Sequence, residues 1–251
     1  MEFKVSVITS LYNYKKYICY SIDSFLKQNF LFSEMIIVDD GSTDGSADIV
    51  HKYIKGIDPS ERERIRLIRL SKNYGYSKAK NEGIKASKSE ILVMLDADDM
   101  LTKKSISIRY DKIVKGFDFV HGPVLDYNHR TKTRIKSRMW TLWKQTKSWK
   151  YVHAQAVMLR KEIHRKIGLY DESLWCKSDR EMFARIFNHK FKIGTVNDFV
   201  SLYRRHPLQM HKSAEKLKNN NRLQKKVKKK IEIRKKDLTG LIFLEQNVSK
   251  T

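Results

Sequence analysis

A chain of 251 residues that is 41% hydrophobic has enough apolar material for one large domain, or for a domain with an appended segment. No run approaches the ~18 consecutive apolar residues of a membrane span, and two cysteines, Cys19 and Cys176, are too few for a disulfide framework or a cysteine-rich zinc site. The net charge of +24 is unevenly placed: residues 1–100 balance 15 Lys/Arg against 15 Asp/Glu, so the whole surplus lies in residues 101–251.

A lysine-rich compositional bias would have made the first half basic as well. The asymmetry therefore predicts a polyanionic partner or surface for the second half. The scarce cysteines suit a reducing compartment, and Met1-Glu2-Phe3-Lys4 leads into a strand-like run rather than a signal peptide, so a cytoplasmic protein is expected.

In chain order, residues 3–9 (FKVSVIT) predict a first strand, and the apolar spacing of Tyr14, Tyr17, Ile18, Ile22, Phe25 and Leu26 predicts a helix over 14–28. Residues 35–38 form a second apolar run that ends in Asp39-Asp40-Gly41-Ser42. Ala47, Val50 and Ile54 mark the inner face of the next helix. Strands over 65–70 and 91–95 enclose a helix over 76–87, and this alternation predicts a mainly parallel sheet with helices on both faces. A helix over 102–115, a strand over 117–121, a strand near 154–159 and helices over 161–167 and 178–189 follow. Residues 126–150 carry no core pattern, and Met210 to Lys236 reads as a lysine-rich helix.

Both N-terminal acidic clusters end apolar strands, which places several carboxylates at the carboxyl edge of one sheet, where open α/β sheets bind ligands. The second, Asp96-Ala97-Asp98-Asp99, offers hard oxygen ligands for Mg²⁺ or Mn²⁺ and, through the metal, for a diphosphate. A plain acidic turn would not need three carboxylates, whose mutual repulsion is destabilising unless a cation is bound.

These segments, with Val5–Asn13, Asn73–Gly83, Asp171–Glu181 and Tyr203-Arg204-Arg205-His206, occur in an order that resembles the family 2 glycosyltransferases over roughly residues 1–210. The resemblance implies an α/β GT-A fold of residues 1–210, with a nucleotide-binding half (1–100) and an acceptor-binding half (101–210), followed by a basic helical extension, 211–251. It places Ser10, Tyr12, Asp39, Asp40, Lys80, Asp96 and Ala97 at a UDP-sugar, with Asp40 favoured over Asp39 as acceptor for the uracil imide N–H. Lys80 stands where the family has an arginine, and is expected to offer a point charge to the diphosphate without the bidentate fork. Asp96 and Asp98 are implied at a divalent metal, joined by His206, whose imidazole suits Mn²⁺ better than Mg²⁺. Asp179 is implied as the general base of inverting transfer, with Glu181 in reserve.

Between Arg130 and Lys150 basic residues alternate with tryptophans. Arg130, Arg134, Trp140, Trp143 and, further on, Trp175 are candidates for the acceptor side, although alternating Lys/Arg also reads as a charged edge strand. The expected function is metal-dependent inverting transfer from a UDP-sugar to a hydroxyl of a glycan or lipid-linked glycan at an anionic surface. A second possibility is transfer to a hydroxylated base in DNA, and a third is a non-catalytic basic module that binds nucleic acid.

Overall fold

The computed structural model describes residues 2–128, 130–136, 144, 148–174, 177–209, 225, 228–230 and 232. A seven-stranded sheet runs through the centre in the order β10-β6-β9-β4-β1-β2-β3. Its strands are β1 (Val5–Leu11), β2 (Ser33–Asp39), β3 (Ile65–Arg69), β4 (Ile91–Asp96), β6 (Phe119–His121), β9 (Val157–Arg160) and β10 (Ile193–Thr195). All neighbours are parallel except β9, which lies antiparallel between β4 and β6.

Continuous apolar runs form these strands because both faces of the sheet are covered. Val5, Val7, Met35, Ile37, Val93 and Leu95 turn to one face, where α1 (Ile18–Leu26), α2 (Ser46–Gly56) and α5 (Ser105–Val114) pack. Ile8, Ile36, Val38, Leu92 and Met94 turn to the other, against α4 (Tyr76–Ala86), α6 (Glu162–Ile167) and α7 (Ser178–Asn188). A short helix, α3 (Pro59–Arg62), capped by the Asp58 side chain, was not signalled by periodicity because four residues show none.

A second sheet, β5-β11-β7-β8, was not expected. It joins β5 (Met100–Leu101), β7 (Val124–Asn128), β8 (Arg134–Lys136) and β11 (Ser201–Arg205), strands too short or too polar to announce themselves. Strands β7 and β8, in a stretch without a core pattern, thus pair antiparallel at this sheet's edge, and Arg130 and Arg134 are exposed there as a charged edge strand would have them. The expected strand over 154–159 begins later, at Val157, after a 3-10 turn over Ala154–Ala156. Trp140, Trp143 and Trp175 lie outside the described residues, as does almost all of the predicted helix from Met210 to Lys236.

Candidate active site

Register brings the strand ends level. Leu11 pairs with Asp39 on one side of β1, and Ser10 pairs with Asp96 on the other, so both acidic clusters open at the same edge. Tyr12, just beyond, is 38% exposed above that edge.

The first cluster divides its labour. Asp40 is buried, and its two carboxylate oxygens accept from the backbone N–H groups of Tyr74 and Gly75 at 2.8 and 2.7 Å. Burial raises its pKa, and those two hydrogen bonds oppose the rise. Asp40 therefore binds the 73–75 turn to the end of β2. Asp39 accepts from Ser42 N–H with Oδ1 at 3.3 Å, while its buried Oδ2 has no hydrogen-bond donor and faces Arg69 Nε at 3.7 Å. The unused acceptor at this strand end belongs to Asp39, the opposite of the order expected from the sequence.

Gly41 makes this close approach possible. Its φ is +68°, and a Cβ there would stand 2.7 Å from Lys72 Cα and 2.8 Å from Asn73 N. Both neighbours are backbone and cannot swing aside. Gly41→Ala is expected to cost about 2 kcal/mol or more, from left-handed strain and overpacking together, read as a lowered urea midpoint. A midpoint unchanged within error would show that the two turns can separate freely.

Lys80 departs furthest from expectation. It is fully buried, and its ammonium donates to Ile8 O at 3.2 Å and Leu95 O at 2.9 Å and pairs with Asp96 Oδ1 at 3.1 Å. An ammonium has three N–H donors and all three are spent, so none remains for a diphosphate. Lys80 instead pins β1 to β4 and aims Asp96. The hydroxyl of Tyr76 donates to the same Asp96 oxygen at 3.2 Å. Tyr76 was missed because its position in an Asn-x-Gly-Tyr segment reads simply as a helix start.

Ala97 is fully buried behind the second cluster. Asp98 Oδ2 lies 2.9 Å from His206 Nε2, and both side chains are largely enclosed. The His206 ring packs on Tyr17, with centroids 4.2 Å apart, and edge-on to Tyr14 at 5.7 Å. Arg204 holds this end of β11 in place: its N–H donates to Asp99 Oδ1 at 2.8 Å, and its Nε to Asp98 O at 2.7 Å. The guanidinium also lies over Tyr20 and Tyr17, at 4.8 and 5.3 Å. Burial and the charges of Asp98 and Asp96 push Asp99 well above the usual carboxylate range.

Among the described residues no three His, Cys, Asp or Glu side chains form a ready metal cage. One carboxylate facing one imidazole nevertheless fits a cation whose remaining positions are filled by substrate phosphates and water, as is usual for nucleotide-bound Mg²⁺ and Mn²⁺.

Asp179 sits in the first turn of α7. Burial raises its pKa, while Arg180 and backbone N–H groups of the helix start lower it and Asp96 raises it. Asp179 and Asp96 both act on the phenols of Tyr76 and Tyr170, so the two carboxylates share one neighbourhood. The segment leading to α7 is stitched to α4: Ser77 Oγ donates to Leu174 O at 3.0 Å, and Asn81 exchanges hydrogen bonds with Tyr170 at 2.9 Å. Further along the chain, Lys230 pairs with Asp171 and Ser173 of the same segment. Glu181, the reserve base, is fully buried and held by Arg185 Nε at 3.0 Å, with Arg185 also gripping the carbonyls of Ile167, Gly168 and Leu169. Its carboxylate serves the fold and is not available to an acceptor.

The model of the family described as "Glycosyl transferase family 2" matches residues 6–210, most of the chain. The chain is a family 2 glycosyltransferase. Among curated relatives, this glycosyltransferase is 26% identical to "Glycosyltransferase GlyG" of Streptococcus pneumoniae serotype 4 over 220 residues, 80% of this chain and 70% of that one. Among solved structures it resembles S. aureus TarS 1–349 in complex with UDP, with a TM-score of 0.66 at 22% identity, over 82% of this chain and 61% of that one. It also resembles the mannosyltransferase PcManGT of Pyrobaculum calidifontis in complex with GDP-Man and Mn²⁺, with a TM-score of 0.65 at 17% identity, over 81% of this chain and 57% of that one. The glycosyltransferase thus has the GT-A fold and spans about three fifths of the length of these solved neighbours.

Proposed function

We propose that this enzyme transfers a sugar from a UDP-sugar to an acceptor hydroxyl with inversion, in a metal-dependent reaction. The observation that carries the reading is the meeting of Asp96, the Asp98–His206 pair and Asp179 at one sheet edge, although they come from three separate parts of the chain. UDP is favoured by Asp39, whose Oδ2 accepts no hydrogen bond and faces Arg69 and whose carboxylate suits the uracil imide N–H, and by the UDP held in the TarS structure.

Asp98 and His206 would hold a divalent cation, Mn²⁺ in preference to Mg²⁺ because one ligand is imidazole; a bound cation supplies charge to the leaving diphosphate. Asp96, held by Lys80 and Tyr76, faces the donor with little freedom to move, and Ser10 and Tyr12 frame the nucleotide, with Ala97 buried behind them. Asp179 takes the proton of the acceptor hydroxyl as that oxygen attacks the anomeric carbon from the face opposite the diphosphate. The C–O bond to the diphosphate breaks and UDP departs with the electron pair.

The acceptor we favour is a glycan or lipid-carried glycan at the cytoplasmic side of an anionic membrane, reached by the basic second half. Among the described residues no helix is long and apolar enough to cross a membrane. Transfer to a DNA base has no relative or neighbour reported above to support it, and family membership replaces the reading as a non-catalytic module. The family match ends at residue 210, in keeping with a catalytic domain over 1–210 and an extension over 211–251.

The test is incubation with a panel of UDP-sugars, with Mn²⁺ or with chelator, followed by release of UDP. Release that is indifferent to chelation would remove the metal from the reaction. Asp98→Asn is expected to weaken Mn²⁺-dependent UDP binding by about tenfold or more, since a neutral amide replaces an anionic ligand. Calorimetric titration gives the answer, and undiminished affinity would take Asp98 out of the metal site.

A further inference from the structure

The basic run Lys225-Lys226-Val227-Lys228-Lys229-Lys230 reads in the sequence as a solvated helix face. Lys225, Lys228 and Lys229 are helical and exposed, as such a face should be. Lys230 is different. Its side chain is 30% accessible, and its ammonium donates to Asp171 Oδ2 and, at 2.6 Å, to Ser173 Oγ. The same hydroxyl donates to Asp171 Oδ1 at 2.7 Å, so three side chains close a ring across the Asp171–Leu174 turn. Burial raises the Asp171 carboxyl, but hydrogen bonds from Lys230 and Ser173 bring it down to about 2, so the ion pair persists at neutral pH.

This turn leads directly to α7. Leu174 N–H donates to Asp171 O at 3.0 Å, and the Leu174 side chain is fully buried against Ala184 of α7 and Trp149. Tyr170, just before the turn, stands edge-on to Tyr76 with ring centroids 6.4 Å apart, and Tyr76 is the phenol that holds Asp96. After Leu174 the backbone turns left-handed at Lys177, with φ +59°, to enter the helix. A lysine in that conformation is strained, and it persists only where the surrounding structure holds it. Downstream, Arg185 grips Glu181 and the carbonyls of residues 167–169. Upstream, the ties are Ser77, on Leu174 O at 3.0 Å, and Lys230, which lies beyond residue 210, where the family match ends. Asp179 stands between these anchors, two residues from the strained one.

We propose that Lys230 is a positioning residue of the active site: by locking the Asp171–Leu174 turn it fixes where α7 begins and hence where Asp179 stands. The proposal rests on Asp179 being the base. It makes the chain beyond residue 210 part of the catalytic machinery, with one lysine of the basic run turned from the solvent to that task. The effect reaches the reaction through the turn alone, so it shows in turnover rather than in donor affinity.

The test compares Lys230→Gln, Lys230→Arg and, as a control for net charge, Lys229→Gln in the full chain. UDP release is followed with Mn²⁺, the UDP-sugar most readily turned over and water as the acceptor. Lys230→Gln is expected to lower kcat about tenfold with donor KM unchanged. Lys230→Arg, whose fork can reach both oxygens, and Lys229→Gln keep near-normal turnover. Hydrogen exchange gives a readout that needs no catalysis: amides of residues 172–182 should exchange faster in Lys230→Gln and at the normal rate in the other two. Asp171→Asn should cause a similar loss, and adding it to Lys230→Gln should cost little more, because both cut one tie. Normal exchange in Lys230→Gln, faster exchange with unaltered kcat, or losses that multiply in the double variant would overturn the proposal. Asp179→Asn tells the two ideas apart. Normal turnover in that variant refutes the base and the proposal with it, whereas impaired turnover there beside a normal kcat in Lys230→Gln overturns the proposal alone.

Discussion

Replacing Lys80 with methionine is expected to cost about 3 kcal/mol of folding stability, although the side chain has nearly the same length and volume. The substitution leaves Asp96 without its buried cation and removes hydrogen bonds from Ile8 O and Leu95 O. Breaking one partner of a buried charged contact is costly because the remaining groups stay desolvated and unpaired. Partial exposure of Asp96, whose side chain is 27% accessible, lets water recover some of the loss, so the expected cost lies at the low end of the range for such pairs. Urea unfolding with an unchanged m-value measures it. A loss below about 1 kcal/mol would mean that the strand-to-strand pin carries no stability. Lys80→Arg should not rescue the variant, since a planar fork has no room where an ammonium is wholly enclosed.

Asp179→Asn is expected to cut turnover by about 10²-fold or more while leaving UDP-sugar affinity nearly intact. In the proposed mechanism the carboxylate acts on the acceptor proton alone, so ground-state binding of the donor would not draw on it. The pH profile carries a second signature. Because burial raises the pKa of Asp179, the carboxyl gains its proton at a higher pH than an ordinary aspartate. Only the ionised form could serve as the proposed base, so turnover should fall as pH drops through that raised value and stay level above it. An acid limb at the usual carboxylate position, or a variant that turns over normally, would move the base elsewhere. Glu181 is no substitute, because Arg185 holds its carboxylate.

The sequence showed the central sheet because burial on both faces leaves a plain signature. Runs such as Ile36-Ile37-Val38 and Ile91–Leu95 can hardly be anything but interior strands, and they stop at the carboxylates that mark the site. The segments that carry Asp98, His206 and Asp179 were recognisable through motif order, and the fold brings Asp98 against His206. What stayed hidden depended on where a side chain points. A lysine on an Ala/Gly-rich helix looks like a surface charge until the sheet behind it supplies three acceptors, as it does for Lys80. Two adjacent aspartates look alike until the 73–75 turn claims both oxygens of Asp40, while one oxygen of Asp39 accepts no hydrogen bond. The second sheet escaped notice because β5 has two residues and β8 three, too few to display a period.

The contact between Asp98 and His206 spans 108 positions of sequence. It also depends on β11 reaching β5 and β7, which are separated from it by most of the second half of the chain. Loop closure over such distances is slow, and during synthesis it cannot begin until β11 has left the ribosome. Strands β1, β2 and β4 lie within the first hundred residues and can pair far earlier, though β4 keeps an open edge until β9 arrives. The pair proposed to hold a metal is therefore a late contact among those of the described residues, and a nascent or truncated polypeptide would carry Asp96 and Asp98 long before His206 could reach them.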